Sequence, residues 1–233
     1  SESVRQQDAF IVNMLSQHID GAIIVPQGQM SAALRRLLQK DLPVVFVDRR
    51  AEDVEGVPLV DSNPKPGIEL ALRDFRDCGH RKVGYISGPI SGSPSLRERE
   101  FAFRECGTRL FGEENIFVES TGLGQSSWKA VLHRMKSSGV TALLFGYSPD
   151  TVHAIAEMNG VDEILKDGIS FVSFDDIELF HLTNPQVSAI SQRVQELGNL
   201  GARTFLGMMD GVKPSSQRVD TTYIQRGTVQ TGI

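Results

Sequence analysis

The chain has 233 residues, 40% of them hydrophobic and 23% charged, a composition that suits a globular protein with one large or two small cores. Its 24 basic and 29 acidic side chains leave a net charge of −5, which argues against these residues forming a nucleic-acid contact, since phosphates call for a basic patch. Two cysteines without CxxC spacing, Cys78 and Cys106, exclude a disulfide framework and a zinc site, and no apolar run reaches the ~18 residues that span a bilayer.

Ser1–Phe10 has no basic region leading into an apolar one, so no signal peptide is expected in this chain. Helical spacing puts Phe10, Ile11, Met14, Leu15 and His18 on one face. Short β-branched runs follow at 22–25 and 44–47, with an amphipathic helix around Leu34, Leu37 and Leu38 between them. The run 57–60 reads as a strand, and Ile68, Ala71, Leu72 and Phe75 as the inner face of a helix stopped at Cys78-Gly79. Strands are expected at 83–86, 116–118 and 142–145. Helices carry Leu96 to Leu110, Trp128 to Met135 and Val152 to Ala156. Val194, Leu197, Gly201, Phe205 and Met208 share one further helix, and 221–224 closes the chain as a strand. Strands alternating with helices throughout predict an α/β fold with parallel sheets.

Catalytic motifs are weak or absent. Gly122-Leu123-Gly124 lacks the third glycine of a dinucleotide turn. Ser126–Lys129 contains SxxK without its companion motifs. The five histidines show no metal-ligand spacing. His18 reads as a packing residue. His80, just past a helix end, reads as a structural group favoured as a cation by the helix dipole. No catalytic residue, metal or cofactor is expected.

The informative stretch is 170–198. Its apolar run, with Phe171, Val172 and Phe174, stops abruptly at Asp175-Asp176. Buried parallel strands read as short apolar runs, and ligands bind beyond their carboxyl ends. A carboxylate at that position is therefore aimed at a ligand crevice.

This stretch resembles the "VVGFDD … Q … LG" segment of LacI/GalR-type transcriptional regulators. HIDGAIIVP at 18–26, LPVVFVDR at 42–49, GHRKVGYISG at 79–88 and LREREFAF at 96–103 are similar to further motifs of that family in the same order. Ser62-Asn63 followed by Gly67 resembles its "DN..GG", with serine where aspartate is usual. The resemblance implies a two-lobed, periplasmic-binding-protein-like (type I) fold with parallel sheets flanked by helices. The implied N-terminal lobe is 1–87 plus 193–211, and the implied C-terminal lobe is 88–192 plus 212–233. It further implies that the family's first strand-helix-strand and its DNA-binding headpiece lie outside this chain.

By the same resemblance the chain senses a small effector, a sugar or nucleoside-like metabolite, in a cleft, and acts on operator DNA through the headpiece as a cytoplasmic homodimer with no membrane partner. Ligand contacts are expected from Asp48, Arg49, Arg99, Asp175 and Gln192, a mixture of donors and acceptors suited to hydroxyl groups. Tyr147, where the family often has Asn-Asp, can stack on a sugar or base face. Helix 1, the Leu34–Leu38 helix and Leu179–Pro185 are expected at the dimer interface. A periplasmic sugar-binding protein shares this core and is the alternative, with a sugar-modifying enzyme behind it.

Overall fold

Each apolar run that fills a buried parallel strand has its amide and carbonyl groups paired on both sides, so the order of those runs in space fixes the architecture. The computed structural model describes residues 2–89, 93–121 and 127–231. Gly122-Leu123-Gly124 and Ser126 of the SxxK match lie outside the described residues. In chain order the elements are α1 (Glu2–Ser16), β1 (Ala22–Ile24), α2 (Ala32–Leu38), β2 (Val44–Val47), β3 (Leu59–Asn63), α3 (Lys65–Asp77) and β4 (Val83–Ile86). They continue with α4 (Pro94–Phe111), β5 (Ile116–Glu119), α5 (Trp128–Ser137), β6 (Ala142–Phe145), α6 (Ser148–Glu157) and α7 (Val161–Lys166). The last are β7 (Ser170–Phe174), α8 (Glu178–Leu182), β8 (Ser188–Ser191), α9 (Val194–Met209), β9 (Gln217–Asp220) and β10 (Thr222–Ile224).

The chain divides into two compact units, the smaller formed by 1–62 and 193–219 and the larger by 63–192 and 220–233. In the smaller unit the sheet order is β1-β2-β3-β9, with β1, β2 and β3 parallel. Successive strand residues point to opposite faces. Phe46 accordingly packs with Ile11, Leu34 and Leu37 of α1 and α2, while Val45 packs with Leu197 of α9. Gly21 is required here, because a Cβ would lie 2.5 Å from the Pro43 carbonyl and 2.6 Å from the Phe205 ring.

The larger unit holds a six-stranded sheet in the order β10-β8-β7-β6-β4-β5, parallel except for β10. Phe145 and Phe171 point to the face covered by α5, α6, α7 and α8; Tyr85, Leu144, Val172 and Phe174 point to the face covered by α3 and α4. Among the described residues no helix is long and apolar enough to cross a membrane, and no group of His, Cys, Asp and Glu is arranged to hold a metal ion.

Several expectations shift. The implied lobe boundaries, 1–87 plus 193–211 and 88–192 plus 212–233, differ from these units. β4 is hydrogen-bonded between β5 and β6, and α3 packs with α4, so 63–87 belong with the larger unit. β9 carries the chain on to Val219 in the smaller unit by joining β3. The third strand runs over 59–63 rather than 57–60, because its register pairs Leu59 with Phe46. Phe10 is exposed while its neighbour Ile11 is buried; His18 lies beyond α1 with φ 54°, and Val194 at the start of α9 faces solvent.

His80 is structural for a reason other than helix-dipole attraction. It is 3% exposed, with Nδ1 2.8 Å from Thr141 Oγ1 and Nε2 2.9 Å from the Gln230 carbonyl. A carbonyl only accepts, so Nε2 donates to Gln230 and Nδ1 accepts from the Thr141 hydroxyl. Burial lowers its pKa from the ordinary value, against weaker upward pulls from the Gln230 carbonyl and the charge of Asp74. The fold therefore favours the neutral ring, while the unfolded chain takes up its proton near pH ~6.5. The stabilisation is complete above that pH and is lost as pH falls through the lower folded value. Thermal unfolding should shift to lower temperature as pH drops below about 6.5, and His80→Gln should show a shallower decline over that window. An equal decline in the variant would assign the acid sensitivity to other groups.

Candidate functional site

All parallel strands of the larger sheet end at one edge, where ligands of open α/β sheets bind. Along it β6 runs into Gly146-Tyr147, β7 into Asp175 and β8 into Gln192. α4 adds Arg99 from its second turn, and this arginine is only 6% exposed.

Three groups hold the Arg99 guanidinium. Its Cζ lies 3.8 Å from the centre of the Phe174 ring, a cation–π contact. Nη1 donates to the Gly146 carbonyl at 2.9 Å and lies 3.4 Å from Asp175 Oδ2. The other Asp175 oxygen, Oδ1, accepts from Gln192 Nε2 at 2.6 Å. Helix α4 and strands β6, β7 and β8 thus meet through one arginine and one aspartate. The Asp175 side chain retains 26% exposure against 8% for Arg99, so the carboxylate is the part that solvent reaches.

Backbone geometry aims Asp175. Its φ is 72°, in the left-handed region that few non-glycine residues other than Asn and Asp adopt, and its N–H donates to the Ile190 carbonyl at 3.0 Å. Asp48 repeats the device in the smaller unit, with φ 69° after β2 and its N–H donating to the Val60 carbonyl at 2.9 Å. There Arg49 donates from Nε and Nη2 to Asp48 Oδ2 at 2.9 and 2.8 Å. Within the larger unit the geometry brings Arg99, Asp175 and Gln192 together, and within the smaller unit it pairs Asp48 with Arg49. Tyr147 precedes α6 in extended conformation, packed so closely on Gly88 that a Cβ there would lie 2.7 Å from its own Cβ.

Asp176, the second carboxylate of the pair, serves the fold. Arg226 grips it with two donors at 2.8 and 2.9 Å and also donates to the Val187 carbonyl at 2.7 Å. Sequence reasoning passed over further polar groups near this edge. The Thr121 hydroxyl donates to Asp150 Oδ2 at 2.6 Å, and Thr151 and Ser173 share a buried hydrogen bond at 2.7 Å. Burial raises the Asp150 pKa, with the Thr121 bond opposing it. The available signal was polar residues at the ends of apolar runs, as with Ser173 inside SFVSFDD.

A family model described as a periplasmic binding protein-like domain matches residues 72–229. The HTH-type transcriptional regulator PtxS of Pseudomonas plecoglossicida is 25% identical over 203 residues, 87% of this chain and 59% of that protein's length. The chain therefore spans less than two thirds of that relative. Among solved structures, a probable LacI family transcriptional regulator from Corynebacterium glutamicum matches with a TM-score of 0.78 at 24% identity, covering 97% of this chain and 84% of that one. A dimeric Lac repressor with an 11-residue C-terminal deletion matches with a TM-score of 0.76 at 20% identity, covering 99% and 85%. These two structural likenesses concern the fold alone.

Replacing Asp176 by alanine strips a nearly buried Arg226 of its carboxylate and should cost about 3 kcal/mol in urea unfolding. The double variant Asp176→Leu/Arg226→Met should recover most of that loss, because an apolar pair of similar volume removes both charges. A single variant as stable as the parent would show that the pair contributes little.

Proposed function

This chain belongs to the periplasmic binding protein-like family, and from that premise we propose that it is the effector-sensing domain of a LacI-type transcriptional regulator, with Arg99, Asp175 and Gln192 at the heart of its effector site. The observation that carries this reading is the preassembled set at the strand ends: a buried guanidinium, a partly exposed carboxylate and an amide, hydrogen-bonded in series. A carboxylate accepts, a guanidinium donates and an amide does both, which suits a small polyhydroxylated molecule such as a sugar. Tyr147 offers a ring face beside the Gly146 carbonyl. Asp48 and Arg49 carry the same donor–acceptor chemistry in the smaller unit and are proposed as effector contacts in their own right.

The regulator reading also rests on the resemblance to PtxS, which is a transcriptional regulator and supports a binding role over a catalytic one. Operator contact is assigned to a segment outside these acidic 233 residues, and the working form to a cytoplasmic homodimer, on the model of the dimeric Lac repressor. An effector changes operator affinity only by binding one conformation better than another. Gln192 is the last residue of the larger unit before the chain passes to Arg193 in the smaller one. A ligand that donates hydrogen bonds to Asp175 acts on the partner of that crossing residue.

The test is a thermal-shift screen of the chain against pentoses, hexoses, sugar acids, nucleosides and their phosphates. A bound effector at about 100 times its Kd adds ~2.7 kcal/mol to stability and raises Tm by several degrees. Asp175→Ala and Arg99→Ala should each abolish that rise while keeping the far-ultraviolet circular dichroism of the parent. Parent-like affinity in both variants would sink this assignment of the site.

A further inference from the structure

Among the described residues, six other than glycine have positive φ: His18, Asp48, Asp53, Asn159, Asp175 and Arg193. His, Asp and Asn are the types enriched in this region, so Arg193 is the exception. Its φ of 56° and ψ of 52° place it in the left-handed helical well, directly before α9. Local sequence does not favour that conformation for arginine, and such strain persists only where the surroundings impose it.

Both sides of Arg193 are anchored. Before it, Ser191 is registered against Thr222 in the antiparallel ladder of β8 and β10, and Gln192 Nε2 donates to Asp175 Oδ1 at 2.6 Å. After it, the Arg193 carbonyl accepts from the amides of Glu196 and Leu197 at 2.8 and 3.1 Å, which starts α9. Only the torsions of Gln192 and Arg193 lie between these anchors, and the chain leaves the larger unit for the smaller one between the same two residues.

We propose that the Asp175–Gln192 hydrogen bond is a latch that holds Arg193 in its left-handed conformation, and that a hydroxyl donated to Asp175 opens it. The Asp175 carboxylate is the part of the site that solvent reaches. A ligand hydroxyl that takes over Oδ1 frees the Gln192 amide to turn to the ligand. The 192–193 peptide then rotates, Arg193 relaxes to negative φ, and the strain released adds to the binding free energy. A ligand shifts a conformational equilibrium only through such a difference between the two states. The release rests on the effector reading of Asp175; the latch itself does not.

The latch is tested without ligand by a double-mutant cycle in urea unfolding: the parent, Arg193→Gly, Gln192→Leu and the double variant. Glycine adopts positive φ without a Cβ clash. Its added freedom in the unfolded chain and the lost Arg193–Glu196 ion pair are common to both backgrounds and cancel. Arg193→Gly should therefore favour the folded chain about tenfold more in the parent than beside Gln192→Leu, where Arg193 has already relaxed. Gln192→Glu, which sets a second acceptor against Asp175, replaces the leucine variant in the cycle should that one not fold. Equal effects of Arg193→Gly in both backgrounds overturn the proposal.

The release is tested by calorimetric titration of the parent and Arg193→Gly with D-ribose, D-glucose and D-gluconate. Arg193→Gly has no strain left to release, so it should bind the compound that the parent binds about tenfold more weakly, with Arg99 and Asp175 both intact. Unchanged affinity reduces the latch to a structural brace and overturns the release. Failure of all three compounds to bind the parent refutes the effector reading and the release with it, whereas a nonadditive cycle still establishes the latch.

Discussion

A permanent charge buried at the edge of a sheet governs the larger unit. A guanidinium cannot shed its proton inside a protein, so Arg99 must be compensated wherever the chain folds. Removing it from water is costly, and the cost is offset only when its donors and its flat face are matched. Phe174 supplies the face, Gly146 the carbonyl and Asp175 the countercharge, each from the carboxyl end of a parallel strand or the residue just after it. The same demand explains why glycine follows β6. The Gly146 carbonyl must turn to Arg99 while its backbone clears the Tyr85 hydroxyl, and no side chain fits that space.

The two neighbouring carboxylates at the end of β7 show how one residue step changes a role. Asp175, in left-handed conformation, turns its side chain back to Arg99 and Gln192. Asp176, one residue on, meets Arg226 and stitches the end of β7 to the segment after β10. Tyr223 does related work on β10 itself, donating to Asp74 of α3 at 2.6 Å. The closing segment is thus held through side chains as well as through its antiparallel ladder with β8. The aspartate facing solvent is the one whose backbone is most tightly specified.

Buried parallel strands were legible because they read as uninterrupted apolar runs; β4, β6 and β7 lie where those runs lie, and Asp175 follows from the end of one of them. β9 was not legible, since Gln-Arg-Val-Asp offers one buried side chain and borrows its strand character from β3. The division into units escaped local reading for a related reason. Whether 63–87 belongs to one unit or the other depends on which strands flank β4, and that is a nonlocal choice. His80 was legible as structural but not as neutral, because its burial between Thr141 and Gln230 joins residues far apart in sequence. At the site, residue types were readable, whereas the left-handed turns at Asp48, Asp175 and Arg193 appear only once the neighbours are in place.

Asp48 and Asp175 share one backbone device yet differ in what surrounds them, and the difference bears on how each can act. Arg49 is 44% exposed and bonds its own chain neighbour, so that pair is an adaptable surface contact worth little in itself. Arg99 is fixed by three partners in a poorly solvated setting, where hydrogen bonds are stronger and reorganisation is expensive. Rigid groups discriminate, because a ligand that leaves them unpaired incurs the full desolvation penalty. Exposed groups that water can still serve impose a smaller penalty. The Arg99–Asp175 pair therefore has the rigidity that discrimination requires, and the Asp48–Arg49 pair does not.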